Sequence, residues 1–99
     1  MKLIREILYK VEINSVIGNT SLTINKIEFD SRLINEGDMY VAIKGVNVDG
    51  HDFIPQAIRN GANCIICEKI PDQKVDDVVY VNVSSSRKAL AIISSNYYD

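Results

Sequence analysis

The sequence predicts an α/β domain: a small mixed sheet of about four to five strands, with a βαβ unit and flanking helices. Three observations predict it. Apolar residues recur at helical spacing over 2–11, 53–58 and 89–97. Short β-branched runs at 39–43, 63–67 and 78–83 read as strands. The first two runs enclose a helical stripe within ~30 residues, the spacing of a strand–helix–strand crossover whose strands are parallel and whose hand is right.

Leu3, Ile4, Ile7, Leu8 and Val11 share one stripe, so residues 2–11 are expected to form a short amphipathic helix. Residues 12–20 read as a connector with Gly18-Asn19 as its turn. Ser21 to Phe29 reads as a strand with a change of parity: Leu22 and Ile24 share one face, Ile27 and Phe29 the other. A bulge or kink near Asn25-Lys26 is therefore expected. Met39 to Ile43 is apolar on both faces and belongs at the centre of the sheet.

Asp52 is the expected N-cap of the next helix, with Phe53, Ile54, Ala57 and Ile58 as its stripe and Gly61 as its stop. Pro55 falls in the first turn, where a missing N–H costs no helical bond. The 63–67 strand follows at once. Residues 71–77 are a polar connector and 78–83 a fourth strand. Ser84-Ser85-Ser86 offers N-caps for a last helix with Ala89, Leu90, Ile93 and Tyr97 inward. That helix runs into Asp99 without a glycine stop, which predicts that the polypeptide is a piece of something longer.

Ninety-nine residues make one domain, 1–99, with 46% apolar and 24% charged residues, an ordinary globular balance. A net charge of −2 with scattered lysines argues against nucleic acid as a partner. No apolar run approaches the ~20 residues that cross a bilayer. The charged start MKLIREILYKVE is not a signal peptide, so a cytoplasmic location and no membrane partner are expected.

Cys64 and Cys67 form a C-x-x-C spacing, which can mean a redox pair or half a zinc site. On a strand, however, residues three apart face opposite ways, and there is no second cysteine pair. Both are expected to be small buried hydrophobes, with no metal bound.

The stretch Phe29 to His51 holds the candidate ligand groups. Ser31 can offer a hydroxyl and Arg32 a cationic fork. Gly45 and Gly50 allow backbone to approach a ligand closely, and Gly50-His51 stands at a predicted helix start, where free N–H groups favour an anion. Plain alternatives stand beside these. Asp30 and Ser31 can cap a turn, Arg32 can pair with Asp30 or Asp38, Asp49-Gly50 is a common turn pair, and His51 can be an ordinary helix-start residue. Spacing nominates no base for Ser31; His51, 20 residues on, could reach it only through the fold. No G-x-x-x-x-G-K-[ST] loop and no G-x-G-x-x-G fingerprint occurs.

These residues carry a resemblance. Asp30-Ser31-Arg32, Gly37-Asp38, Tyr40-Val41-Ala42, Gly45, Asp49-Gly50-His51, Phe53-Ile54, Ala57-Ile58 and Gly61-Ala62 resemble the N-terminal domain of the Mur ligase family. Ser86-Arg87, Ala89-Leu90-Ala91 and Tyr97-Tyr98 fit the end of that domain. The resemblance implies a three-domain, ATP-dependent ligase of peptidoglycan synthesis. Its first domain docks the UDP end of UDP-N-acetylmuramoyl-dipeptide. A central domain takes ATP and Mg²⁺ to make an acyl phosphate, and a C-terminal domain positions the incoming amino acid. The leading apolar stripe and the Ser-Arg-Lys-Ala-Leu-Ala ending point to the branch that adds a diamino acid, meso-diaminopimelate or L-lysine, to UDP-N-acetylmuramoyl-L-Ala-D-Glu; the branch adding D-Ala-D-Ala is the alternative.

Carried over by position, the UDP contacts implied by the resemblance are Phe29, Ser31, Val46, Asn47 and Val48, with Arg32, Gly50 and His51 as additions from the residues themselves. Two of the three loop side chains are valines, so main-chain groups and Asn47 are left to make the hydrogen bonds. No catalytic residue is expected, and the chain alone is expected to be inactive. A stand-alone nucleotide- or protein-binding module, and a redox or metal protein built on the cysteines, are the rival readings.

Overall fold

The computed structural model describes residues 1–98. Its strands are β1 (Lys2–Leu3), β2 (Ile13–Ile17), β3 (Thr23–Ile24), β4 (Ile27–Glu28), β5 (Met39–Val41), β6 (Cys64–Cys67) and β7 (Val79–Val83). Its helices are α1 (Ile4–Ile7), α2 (Ile54–Arg59) and α3 (Ser86–Tyr98), with 3-10 turns at Ser31–Leu33 and Gly50–Phe53. The main sheet runs β2-β7-β6-β5-β4; β1 and β3 form a separate antiparallel pair. β4, β5, β6 and β7 are mutually parallel, and β2 is antiparallel to β7. The expected mixed α/β sheet is present, with β5–α2–β6 as its strand–helix–strand unit.

Period-two alternation divides the core between two faces. Met39, Val41, Cys64, Ile66, Val79 and Val81 face one way and pack with Ile4, Ile7, Ala89 and Ile93 from α1 and α3. Tyr40, Ala42, Ile65, Cys67 and Tyr80 face the other way, against Ile54 and Ala57 of α2. β5 is buried at all three residues, as expected of a central strand.

Four expectations are corrected. The helix expected over 2–11 is one turn, because Lys2–Leu3 pairs with β3 and Lys10 takes a left-handed φ of 66°. The stripe still works in that turn, since Ile4 and Ile7 are fully buried. The connector at 12–20 contains β2, an exposed edge strand that a polar Asn14-Ser15 pair disguises. The strand expected over 21–29 with a bulge or kink near Asn25-Lys26 is two strands, parted at that expected point. The chain leaves the small sheet there and enters the large one. The helix expected from Asp52 begins at Ile54 after a 3-10 turn, and Asp49 is the capping carboxylate.

Pro55 and Gly61 sit as expected, the latter at φ 115°. At the start of α3, Ser85 Oγ accepts the Lys88 N–H. Near its end Tyr97 donates its hydroxyl to the Asn25 carbonyl, pinning the break between β3 and β4. Asp99, into which the sequence carries this helix, lies outside the described residues.

Candidate functional site

A cleft of about 780 Å³ opens where the chain leaves the carboxyl ends of the parallel strands. The segment after β4 supplies Phe29, Asp30, Ser31 and Arg32, and the segment after β5 supplies Ile43, Gly45, Val48 and Gly50. Phe53 and Gln56 reach it from the α2 side, Arg87 and Leu90 from α3. Crevices at strand carboxyl ends are where open α/β sheets receive ligands.

The Asp30 carboxylate shapes the first loop. It accepts the Arg32 backbone N–H, an Asx turn that starts the 3-10 turn. It also holds the Arg32 guanidinium through both oxygens, at 3.0 and 2.8 Å. These bonds, the side-chain one foremost, hold the Asp30 carboxyl down at about 2 and raise the Arg32 pKa. The fork expected to meet a ligand anion is thus already occupied by Asp30. Ser31 is 5% exposed and donates its hydroxyl to Gln56 Oε1 at 2.7 Å, while its carbonyl accepts from Asn60 Nδ2. A half-turn of the Gln56 carboxamide exchanges Oε1 with Nε2 and reverses that polarity, so the pair can meet either a donor or an acceptor.

The second loop repeats the device. Asp49 Oδ1 accepts the His51 N–H and contacts His51 Nδ1 at 2.8 Å. These bonds lower the Asp49 pKa, the backbone one most. His51 Nε2 accepts the Glu68 N–H, so Nδ1 carries the ring proton and points at Asp49. The anion site expected at the helix start is therefore corrected: the Asp49 carboxylate already fills it, and Gly50 N–H is spent on the Ile43 carbonyl. His51 has both nitrogens engaged and is no base for Ser31; it lines a second cleft, between α2 and residues 69–75.

Gly45 and Gly50 bring chain against chain rather than chain against ligand. A Cβ on Gly50 would lie 2.7 Å from Ile43 N and 2.8 Å from Ile43 O, and one on Gly45 2.9 Å from Val48 O. Lys44 and Asp49 pair across the loop, leaving Val46 and Asn47 at an exposed tip. The Tyr40 hydroxyl donates to the Gly50 carbonyl at 2.7 Å and closes the loop from beneath. Burial, then the charges of Asp30 and Asp49, push the Tyr40 pKa up to about 12, so it stays a neutral donor.

Of the residues expected at the site, Phe29, Ser31, Arg32, Val48 and Gly50 line the one cleft. Val46, 99% exposed, and Asn47 stand at the loop tip and do not line it. Gln56, Tyr40, Phe53 and Arg87 were not foreseen as site residues. Tyr40, Phe53 and Arg87 had a signal as matched positions of the resemblance, and Gln56 had none. Cys64 and Cys67 are free, buried and on opposite sheet faces. Among the described residues no group of three or more His, Cys, Asp or Glu side chains could hold a metal ion. No helix of the described residues is long and apolar enough to cross a membrane.

An α/β domain with a parallel-stranded core and a mixed polar and apolar crevice at the strand ends is a small-ligand-binding architecture. Residues 23–98 match the sequence profile of the Mur ligase family, catalytic domain. The chain belongs to the Mur ligase family. It is 40% identical over 97 residues to the UDP-N-acetylmuramoyl-L-alanyl-D-glutamate--2,6-diaminopimelate ligase of Cytophaga hutchinsonii, spanning 97% of this chain and 20% of that protein. It is 43% identical over 100 residues to the ligase of the same name from Clostridium tetani, spanning 99% of this chain and 20% of that one. The chain thus spans about a fifth of the length of the curated relatives it matches.

Among solved structures it is similar to the UDP-N-acetylmuramoylalanyl-D-glutamyl-2,6-diaminopimelate--D-alanyl-D-alanyl ligase of Acinetobacter baumannii. The TM-score is 0.77 at 26% identity, covering 95% of this chain and 21% of that one. It is also similar to the MurF ligase of Thermotoga maritima in complex with ADP. There the TM-score is 0.62 at 41% identity, covering 74% of this chain and 16% of that one.

Proposed function

We propose that this chain is the UDP-substrate-docking domain of a longer, ATP-dependent ligase. That ligase joins a diamino acid to UDP-N-acetylmuramoyl-L-Ala-D-Glu in peptidoglycan synthesis. One observation carries the reading: Phe29, Ser31 and Val48, matched to the family's UDP contacts, share one cleft at the strand ends. Phe29 is 60% exposed and offers a ring face for a base; Ile43, Val48 and Phe53 give apolar walls. The Ser31–Gln56 pair supplies a hydrogen-bonding group of either polarity. Asn47 at the loop tip would have to fold inward over a bound nucleotide.

The printed names of the curated relatives favour 2,6-diaminopimelate over L-lysine as the added diamino acid. A second reading, a ligase adding D-alanyl-D-alanine, has the solved structures in its favour. The near-complete matches of 40% and 43% identity to the diaminopimelate ligases outweigh it. ATP and Mg²⁺ would bind in the remainder of the ligase, together with the acyl-phosphate chemistry, because this stretch has no phosphate loop. Its partners would be the dipeptide substrate and its own further domains, and its location the cytoplasm. The chain by itself would bind UDP weakly and ligate nothing.

Titrating UDP into the 99-residue chain while following amide shifts tests this. Shifts concentrated on Phe29–Arg32, residues 43–50 and Gln56 are expected. A spectrum unmoved at millimolar UDP, or shifts confined to the second cleft, would discard it.

A further inference from the structure

Two guanidinium groups line the cleft, Arg32 and Arg87, and they differ in what they already hold. Arg32 is clamped in two-point fashion by Asp30, so its charge is neutralised in place. Arg87 has no carboxylate partner among the described residues. Its one hydrogen bond among the described residues is a long one, 3.4 Å from Nη2 to the Lys44 carbonyl, at the base of the loop that bounds the cleft.

Helix stability does not explain Arg87 either. It stands in the first turn of the 13-residue α3 beside Lys88, with no acidic residue in that turn. The Glu68 carboxylate accepts the Ser86 N–H at 2.9 Å and offsets the peptide dipoles at this N-terminus, yet it makes no ion pair with Arg87. Leu90, one turn on, faces the same cleft and sets Arg87 against an apolar wall. A guanidinium that lines a partly apolar cleft and holds no carboxylate among the described residues is suited to a ligand anion. Its planar fork suits phosphate oxygens.

Building on the docking reading above, we propose that Arg87, not Arg32, is the group that receives the diphosphate of the UDP moiety. Ser31 and Phe29 then meet the nucleoside side of the ligand. Arg87 makes the cleft selective for a nucleoside diphosphate over the bare nucleoside.

The test compares UDP with uridine on the wild-type chain, Arg87→Gln and Arg87→Lys, by amide-shift titration. Arg87 is exposed and makes only a long hydrogen bond, so both variants should keep the wild-type spectrum away from the cleft. Arg87→Gln is expected to weaken UDP about tenfold, the scale of one charge-assisted hydrogen bond, and to leave uridine within about twofold. Arg87→Lys, which keeps the charge and loses the fork, should fall between. UDP affinity unchanged in Arg87→Gln, or UDP and uridine weakened alike, overturns the assignment and leaves the docking reading standing. A wild-type chain that binds neither ligand removes the docking reading and this assignment with it.

Discussion

The Ser31 hydroxyl donates to Gln56 Oε1 across 2.7 Å, which ties the turn after β4 to the side of α2 that faces the cleft. Neither side chain is free to answer a ligand without the other. Ser31→Ala is expected to weaken UDP binding by ~1 kcal/mol, the usual scale for one hydrogen bond. Gln56→Ala should have a similar effect, because Ser31 loses the partner that orients it. The double variant should lose less than the sum of the two, as expected for residues acting as one unit. Strict additivity in a titration series would show that the two groups act separately.

Phe29 leaves 60% of its surface open at the cleft mouth, an unusual place for a phenyl ring unless something covers it. Phe29→Ala should weaken UDP and uridine equally, by ~0.5–1.5 kcal/mol, since a ring face senses the base and not the phosphates. A loss limited to UDP would put the ring beside the diphosphate instead.

Arg32 holds the Asp30 carboxyl down at about 2, against an ordinary value of 3.8, and the Arg32 backbone N–H adds to the effect. A depressed carboxylate contributes stability that is in place above its unfolded pKa and fades as pH falls through the folded one. The difference in urea midpoint between wild type and Asp30→Asn should therefore be constant from pH 7 to about pH 5. It should shrink between about pH 4 and pH 2. The pair is exposed, so the difference will be small. A gap that widens on acidification would contradict the assignment.

Cys64 and Cys67 look like a redox pair in one dimension and are separated by the sheet in three. Burial, the largest cause for both, pushes the Cys67 thiol up to about 11 and the Cys64 thiol higher still. Neither is a thiolate at neutral pH, so neither should react with an aromatic disulfide reagent at pH 8 unless urea is added. Oxidant should yield no intramolecular disulfide by mass spectrometry. Rapid labelling of the folded chain would mean that β6 opens far more readily than its fourfold burial implies.

The same contrast marks what the sequence made legible. Apolar, β-branched runs placed β5, β6 and β7, because strands buried on both faces are apolar at nearly every residue, and period-two geometry sent the two sulfurs apart. β2 left none, since four of its five residues face solvent and an edge strand needs no apolar alternation. In the site, Ser31, Phe29 and the loop after β5 could be read from residue types and resemblance. What could not be read is who already holds whom. Arg32 and His51 both looked available. Each is claimed two residues earlier, by Asp30 and Asp49; the sequence offered the Arg32–Asp30 pair only as one alternative beside Asp38, and the Asp49–His51 pair not at all. Gln56 came from a different segment, 25 residues away from Ser31 along the chain, and no local pattern connects them.

Gly50 is where loop shape and binding meet. Its N–H donates to the Ile43 carbonyl at 2.8 Å and its carbonyl accepts from Tyr40, so both backbone groups are used to fold the 44–50 loop back on β5. A methyl group there would sit 2.7 Å from Ile43 N and 3.2 Å from the Tyr40 hydroxyl, inside contact distance of backbone that cannot yield. Gly50→Ala is therefore expected to cost ~1–3 kcal/mol of stability by forcing the loop off the strand. Tyr40→Phe keeps the ring in the core and loses only the hydroxyl, so ~1 kcal/mol is expected. The two changes should differ in binding as well. Gly50→Ala displaces Val48 and the cleft wall and should weaken UDP even where the chain is fully folded. Tyr40→Phe leaves the wall in place and should weaken it less. Urea midpoints with parallel UDP titrations check both, and a Gly50→Ala chain of wild-type stability would mean that the loop is not held in this closed shape.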